Sequence, residues 1–141
     1  MNKYFILIVV IFISLLVVGI VLLPSTNNGS KDPTSSLKWG TDLNQATQVA
    51  KDTNKKIFVY FSSDWCAYCT EMDEVTFQNP QVIEKLTQNY VLLKVNVDEN
   101  AELSQKYQAY SLPTIVILDY NGNEINRIIG YQSPQQLLSQ I

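Results

Sequence analysis

Cys66 and Cys69 are the only two cysteines of the chain. They stand two residues apart in Trp65-Cys66-Ala67-Tyr68-Cys69, directly after the apolar run Ile57-Phe58-Val59-Tyr60-Phe61. A strand that ends in the short turn Ser62-Ser63-Asp64 delivers Cys66 to the first turn of the next helix. Unpaired backbone N–H groups and the positive end of the macrodipole there favour a thiolate over a thiol. Cys69, one turn along, is close enough to close a small disulfide, so the pair can take up and release two electrons. Two blander uses fit less well. So short a loop gives little chain-entropy stabilisation, and a structural zinc needs four ligands. Two cysteines and no histidine cannot supply those within one chain.

The elements that must hold this pair follow from the apolar pattern. Leu43, Ala46, Val49 and Ala50 recur at helical spacing before the strand Ile57 to Phe61. Helices are expected from about Cys66 to Val75 and, after Asn79-Pro80, from Gln81 to Gln88. Tyr90 to Val97 reads as a second strand and Ala101 to Tyr107 as a helix. Thr114 to Leu118 and Glu124 to Ile129 flank Asp119-Tyr120-Asn121-Gly122-Asn123, and Asn-Gly between apolar runs is a strong hairpin signal. Ser133-Pro134 opens a last helix, with serine as cap and proline at the first helical position. This order implies an α/β sandwich of three layers, a central mixed sheet with helices on both faces. Its first two core strands are parallel because a helix joins them.

The N-terminus differs in kind. Tyr4 to Leu23 carries no charge and is interrupted only by Ser14 and Gly19. About 20 apolar residues in a helix span the hydrocarbon layer of a bilayer. Residues 1–23 therefore read as a membrane anchor, or as a signal sequence that is cleaved, although Leu22-Leu23-Pro24-Ser25 offers no clear small-residue cleavage site. Residues 24–36, rich in Ser, Thr, Asn, Gly and Pro, read as a flexible linker. That leaves 37–141 as one domain, of a size that buries a core without structural disulfides. Lys3 before the span and Lys31 and Lys38 after it hardly discriminate orientation. The short N-terminal tail favours a domain on the exported side, where protein disulfides persist. With Asp+Glu 13 against Lys+Arg 10 and no histidine, the chain has no basic stripe for nucleic acid and no imidazole for catalysis or metal binding.

Taken together, Trp39 with Ala46, Asp64-Trp65-Cys66, Thr76-Phe77, Asn79-Pro80-Gln81-Val82, Val95-Asn96-Val97-Asp98, Leu112-Pro113-Thr114 and Gly130 resemble the thioredoxin superfamily. Within it, the likeness is greatest to the exported C-terminal domain of DsbD-type thiol-disulfide interchange proteins and related membrane-anchored proteins. It extends from about Trp39 to the end of the chain. The resemblance implies a thioredoxin-like fold and a thiol-disulfide oxidoreductase that uses the Cys66–Cys69 disulfide itself, with no further cofactor and no metal. It implies a cis bond before Pro113 and a substrate-binding shelf of Leu112 and Pro113 beside the cysteines, with Trp65 alongside.

Two departures from the family matter. Many thioredoxins carry a buried aspartate six residues before the first cysteine, where this chain has Tyr60. Proton transfer at Cys69 then needs another group or water, and Asp73 and Glu71 are the nearby candidates. The Ala67-Tyr68 dipeptide also lacks the histidine of strongly oxidising members. The expected partners are disulfide-containing exported proteins, a separate dithiol donor or acceptor, and the membrane through residues 4–23. Reduction of exported proteins is the leading expectation. Oxidation or isomerisation, or binding without turnover, are the alternatives.

Overall fold

The computed structural model describes residue 4 and residues 36–141. The expected anchor and linker lie, but for residues 4 and 36, outside the described residues. Among those described, no helix is long and apolar enough to cross a membrane.

The elements are α1 (Leu43–Thr53), β1 (Lys56–Ser62), α2 (Ala67–Glu74), a 3-10 turn (Thr76–Gln78), α3 (Pro80–Asn89), β2 (Tyr90–Asn96), α4 (Ala101–Lys106), β3 (Thr114–Leu118), β4 (Glu124–Ile129) and α5 (Pro134–Leu138). They build one mixed sheet in the order β2-β1-β3-β4. β1 runs parallel to β2 and antiparallel to β3, and β4 is antiparallel to β3. Each expected strand is thus present, the first two are parallel, and the hairpin closes as its Asn-Gly predicts. Gly122 sits at φ 87, and the Asp119 carboxylate accepts from the Asn121 and Asn123 N–H groups.

β1 carries the core because it is buried on both faces, as a central strand must be. Phe58 and Tyr60 point into one layer with Met72, Phe77, Val82, Leu86, Ile115 and Leu137. Ile57, Val59 and Phe61 point into the other with Ala46, Ala50, Leu93 and Val116. One layer is therefore closed by α2, α3 and α5, the other by α1 and α4. Each such side chain withdrawn from water contributes about 1.5–3 kcal/mol, so the strand that ends beside the cysteines is firmly held.

Local signals set the ends of the elements. Asn79 caps α3 with its side chain and Pro80 opens it. Ser133 forms a reciprocal capping box with Gln136, and Pro134 opens α5. Most boundaries lie within a residue of expectation, and the two of α2 have a local cause. α2 begins at Ala67 rather than Cys66, because Cys66 serves as its N-cap. Its last turn gives way at Val75 to the 3-10 turn, where buried Thr76 donates to the Gln132 carbonyl at 2.6 Å and Phe77 turns into the core.

Candidate active site around Cys66 and Cys69

Cys66 and Cys69 form a disulfide with Cα atoms 5.2 Å apart. Cys66 has extended backbone, and its Sγ accepts from the Cys69 N–H at 3.1 Å. The sulfur therefore fills the position that a serine or aspartate oxygen takes in an ordinary cap, facing the orphan N–H groups of the first turn. That arrangement stabilises negative charge on Cys66 when the bond opens. Exposure is uneven. Cys66 keeps 7% of its surface and Cys69 only 1%, so Cys66 is the more accessible of the two sulfurs.

Trp65 is exposed, and its indole N–H donates to Asp98 at 2.8 Å. That bond ties the turn after β1 to the turn after β2. The Leu112–Pro113 bond is cis, as the resemblance implies. Pro113 is buried and its carbonyl accepts from the Gly130 N–H at 2.8 Å, while half-buried Leu112 packs against the core that contains Cys66 and Cys69. The exposed rings of Tyr68 and Tyr110 stand next to the cysteine turn and the Pro113 turn in sequence, and Tyr68 lies 6.2 Å from Tyr131.

Tyr60 is fully buried between Trp39 and Phe77, with ring centroids at 5.8 and 4.9 Å. Its hydroxyl donates to the Cys69 carbonyl at 3.1 Å. Burial, reinforced by the Asp73 charge, pushes its ionisation far above the ordinary tyrosine range. Tyr60 is thus a neutral strut under α2. Asp73 pairs with Lys94 at 2.7 Å, and the Lys94 ammonium lies 5.3 Å from the centre of the Tyr60 ring. Both charges border a polar cleft with Trp39, Ser63, Asp64 and Thr70. Ser63 Oγ is buried there without a partner among the described residues. Glu71 is exposed and takes part in neither ion pair found among the described residues. Of the two carboxylates singled out from sequence, only Asp73 faces this cleft.

Lys94 is not legible from sequence as a site residue. It sits directly opposite Tyr60 in the β1–β2 register, on the face that looks toward α2. The role of Tyr60 has a measurable consequence. Tyr60→Phe is expected to lower stability by about 1 kcal/mol for the lost hydrogen bond, read by denaturant titration. Stability is complete below the unfolded tyrosine value of about 10 and declines as pH rises past it. Buried Tyr60, Tyr90 and Tyr107 keep their protons there, while the unfolded phenols lose theirs. Tyr60→Phe should flatten that alkaline decline.

A dithiol–disulfide pair capping a helix at the end of a central strand supports thiol–disulfide oxidoreductase chemistry, and relatives agree. The chain is 35% identical over 106 residues to the thiol:disulfide interchange protein DsbD of Vibrio vulnificus, a match covering 71% of this chain and 18% of that protein. It therefore spans less than a fifth of the length of that relative. A thioredoxin from Thermus thermophilus superposes with a TM-score of 0.66 at 29% identity, covering 74% of this chain and 83% of that one. The oxidised C-terminal domain of DsbD from Neisseria meningitidis shares the fold, with a TM-score of 0.61 at 18% identity over 72% of this chain and 95% of that one. The model of the thioredoxin-like domain family matches residues 43–141, and the chain belongs to that family.

Proposed function

We propose that this chain is a membrane-tethered thiol–disulfide oxidoreductase that reduces disulfides of exported proteins. The observation that carries the reading is the Cys66–Cys69 disulfide at the cap of α2, with the more exposed sulfur on the helix N-terminus. In the reduced form the Cys66 thiolate attacks a substrate disulfide. A bond forms between Cys66 Sγ and one substrate sulfur while the other leaves as a thiolate. Cys69 then attacks Cys66 Sγ, closing the intramolecular disulfide and releasing the second substrate thiolate. Two electrons pass to the substrate, and a separate dithiol protein restores them. Asp73, through water in the polar cleft, takes the Cys69 proton, with Lys94 holding its carboxylate in place. Leu112 and Pro113 form the shelf on which the extended substrate lies, and Trp65 flanks it.

In this reading residues 1–23 anchor the chain, 24–36 tether it and 37–141 act on the exported side. Support comes from the uncharged run Tyr4 to Leu23 and from the similarity to DsbD. The mature protein is expected to keep residues 4–23, which intact-mass measurement checks. Protease added to intact cells should cut the domain and leave the anchor. A mature N-terminus near Ser25 would make the protein a soluble exported one.

A further inference from the structure

The ends of all four strands meet at one edge of the sheet. Ser62 pairs with Asn96, Phe61 with Thr114 and Thr114 with Ile129, so the stretches 62–70, 96–100, 110–114 and 128–133 close around the cysteines. Of residues 36–141, the four most exposed large apolar side chains all lie on these stretches. They are Tyr110, Trp65, Tyr68 and Ile129, each between 59% and 78% exposed. Exposed tryptophan and tyrosine are the side chains that most often anchor a protein partner, and the bond to Asp98 already holds Trp65 in place.

The same stretches carry three carboxylates, Asp64, Asp98 and Glu99, and no lysine or arginine. All three are exposed. Asp64 and Glu99 line the polar cleft, and Asp98 meets the edge of the Trp65 indole. The indole is neutral, so its hydrogen bond leaves the Asp98 charge whole. Glu71, exposed in the second turn of α2, adds the same sign. Cations on neighbouring elements are engaged elsewhere. Lys94, the one cation lining the cleft among the described residues, is paired with Asp73. Lys106 shares a pocket wall with Glu102, Arg127 is paired with Glu124, and Lys38 lines a groove at the start of β2. A disulfide approaching Cys66 therefore meets uncompensated negative charge and exposed π faces together.

We infer that the preferred substrates are protein disulfides flanked by arginine or lysine, whose cationic side chain lies over the Trp65 indole in the field of Asp64, Asp98 and Glu99. This deepens the oxidoreductase reading and rests on it, though not on the direction of electron flow. An aromatic face attracts a cation, and arginine above all, because its planar guanidinium stacks while it stays charged. Carboxylates around the nucleophile steer a cationic partner in and hold an anionic one off. The rings alone fit many partners, and the charge makes the choice among them.

The test uses the reduced full chain in an uncharged detergent and three short peptides that differ only in the residues on either side of one cysteine: arginine, glutamine or glutamate. Each cysteine is activated as a pyridyl disulfide. Cys66 displaces thiopyridone, read by its absorbance, and Cys69 then releases the peptide thiol, so one protein dithiol is oxidised for each peptide disulfide reduced. Every rate is divided by that of the same peptide with dithiothreitol, which removes the peptide's own reactivity. The arginine peptide is expected to react at least about 10-fold faster than the glutamate one at low salt, with glutamine between them. Most of that ratio should vanish at about 1 M salt, where the screening length is about 3 Å. Asp64→Asn with Glu99→Gln should bring the low-salt ratio toward one, and because only ratios are read, any change in the Cys66 thiolate itself cancels. Trp65→Leu should lower the preference for arginine that persists at high salt. Equal normalised rates for the three peptides, a ratio that ignores salt, or one that survives the double substitution would overturn the inference and leave the oxidoreductase reading intact. No consumption of any peptide by a folded, reduced chain would bring down that reading and the inference with it.

Discussion

Replacing Cys66 by serine is expected to reduce insulin reduction by dithiothreitol to the uncatalysed background, a loss of at least about 100-fold, since the nucleophile itself is removed. Cys69→Ser should behave differently. It leaves the exposed Cys66 sulfur free to attack but removes the group that resolves the mixed disulfide, so substrate stays bound. In cells that variant should accumulate a covalent adduct that runs high on non-reducing gels and collapses on reduction. Cys69 is 1% exposed and Cys66 7%, so the reverse pattern, adducts through Cys69 in Cys66→Ser, is not expected. Both thiols are small and the domain core does not depend on their link, so each variant should keep its fold, which circular dichroism checks. Background-level activity in wild type, with normal folding, would favour a binding module over an enzyme.

Much of this site could be read before any coordinates, and the reasons are local. The strand Ile57 to Phe61 is a continuous apolar run because it is buried on both faces, and Asn121-Gly122 marks the β3–β4 hairpin through a backbone requirement that few residue types meet. The pair Cys66 and Cys69, and the turn at Pro113, were identified by spacing and by resemblance to a family. What escaped depended on contacts between distant segments. The Tyr60 hydroxyl meets the Cys69 carbonyl nine residues on, and Lys94 meets Asp73 twenty-one residues away, pairings that no periodicity encodes. Glu71 and Asp73 looked equivalent in sequence, yet only one faces the cleft, because a helix advances about 100° per residue and two positions differ by more than half a turn. The N-cap role of Cys66 was also hidden, since cysteine is not among the residues preferred there.

The second large effect concerns the direction of electron flow. The cap position of Cys66 and the first-turn N–H groups of α2 stabilise its thiolate. Against that, Asp64 lies two residues before it, Asp73 borders the adjoining cleft, and the chain holds no histidine to add a positive charge. A more stable thiolate makes the reduced form more stable and the couple more oxidising. Reference couples bracket the outcome, with thioredoxin near −270 mV and the strong oxidant DsbA near −120 mV. The balance at Cys66 is expected to place this chain nearer the reducing end, at about −200 to −270 mV. Relative to a DsbA-like couple that is a shift of roughly three to five orders of magnitude in the equilibrium with a given dithiol, at about 30 mV per tenfold. Equilibration with dithiothreitol or glutathione buffers, read by alkylation of free thiols, measures it. Tyr68→His introduces an imidazole between the cysteines and should move the couple toward more positive potential, most strongly at pH values where that imidazole is charged. A wild-type value above about −150 mV would reverse the assignment, because a couple that oxidising takes electrons from exported thiols rather than giving them to exported disulfides.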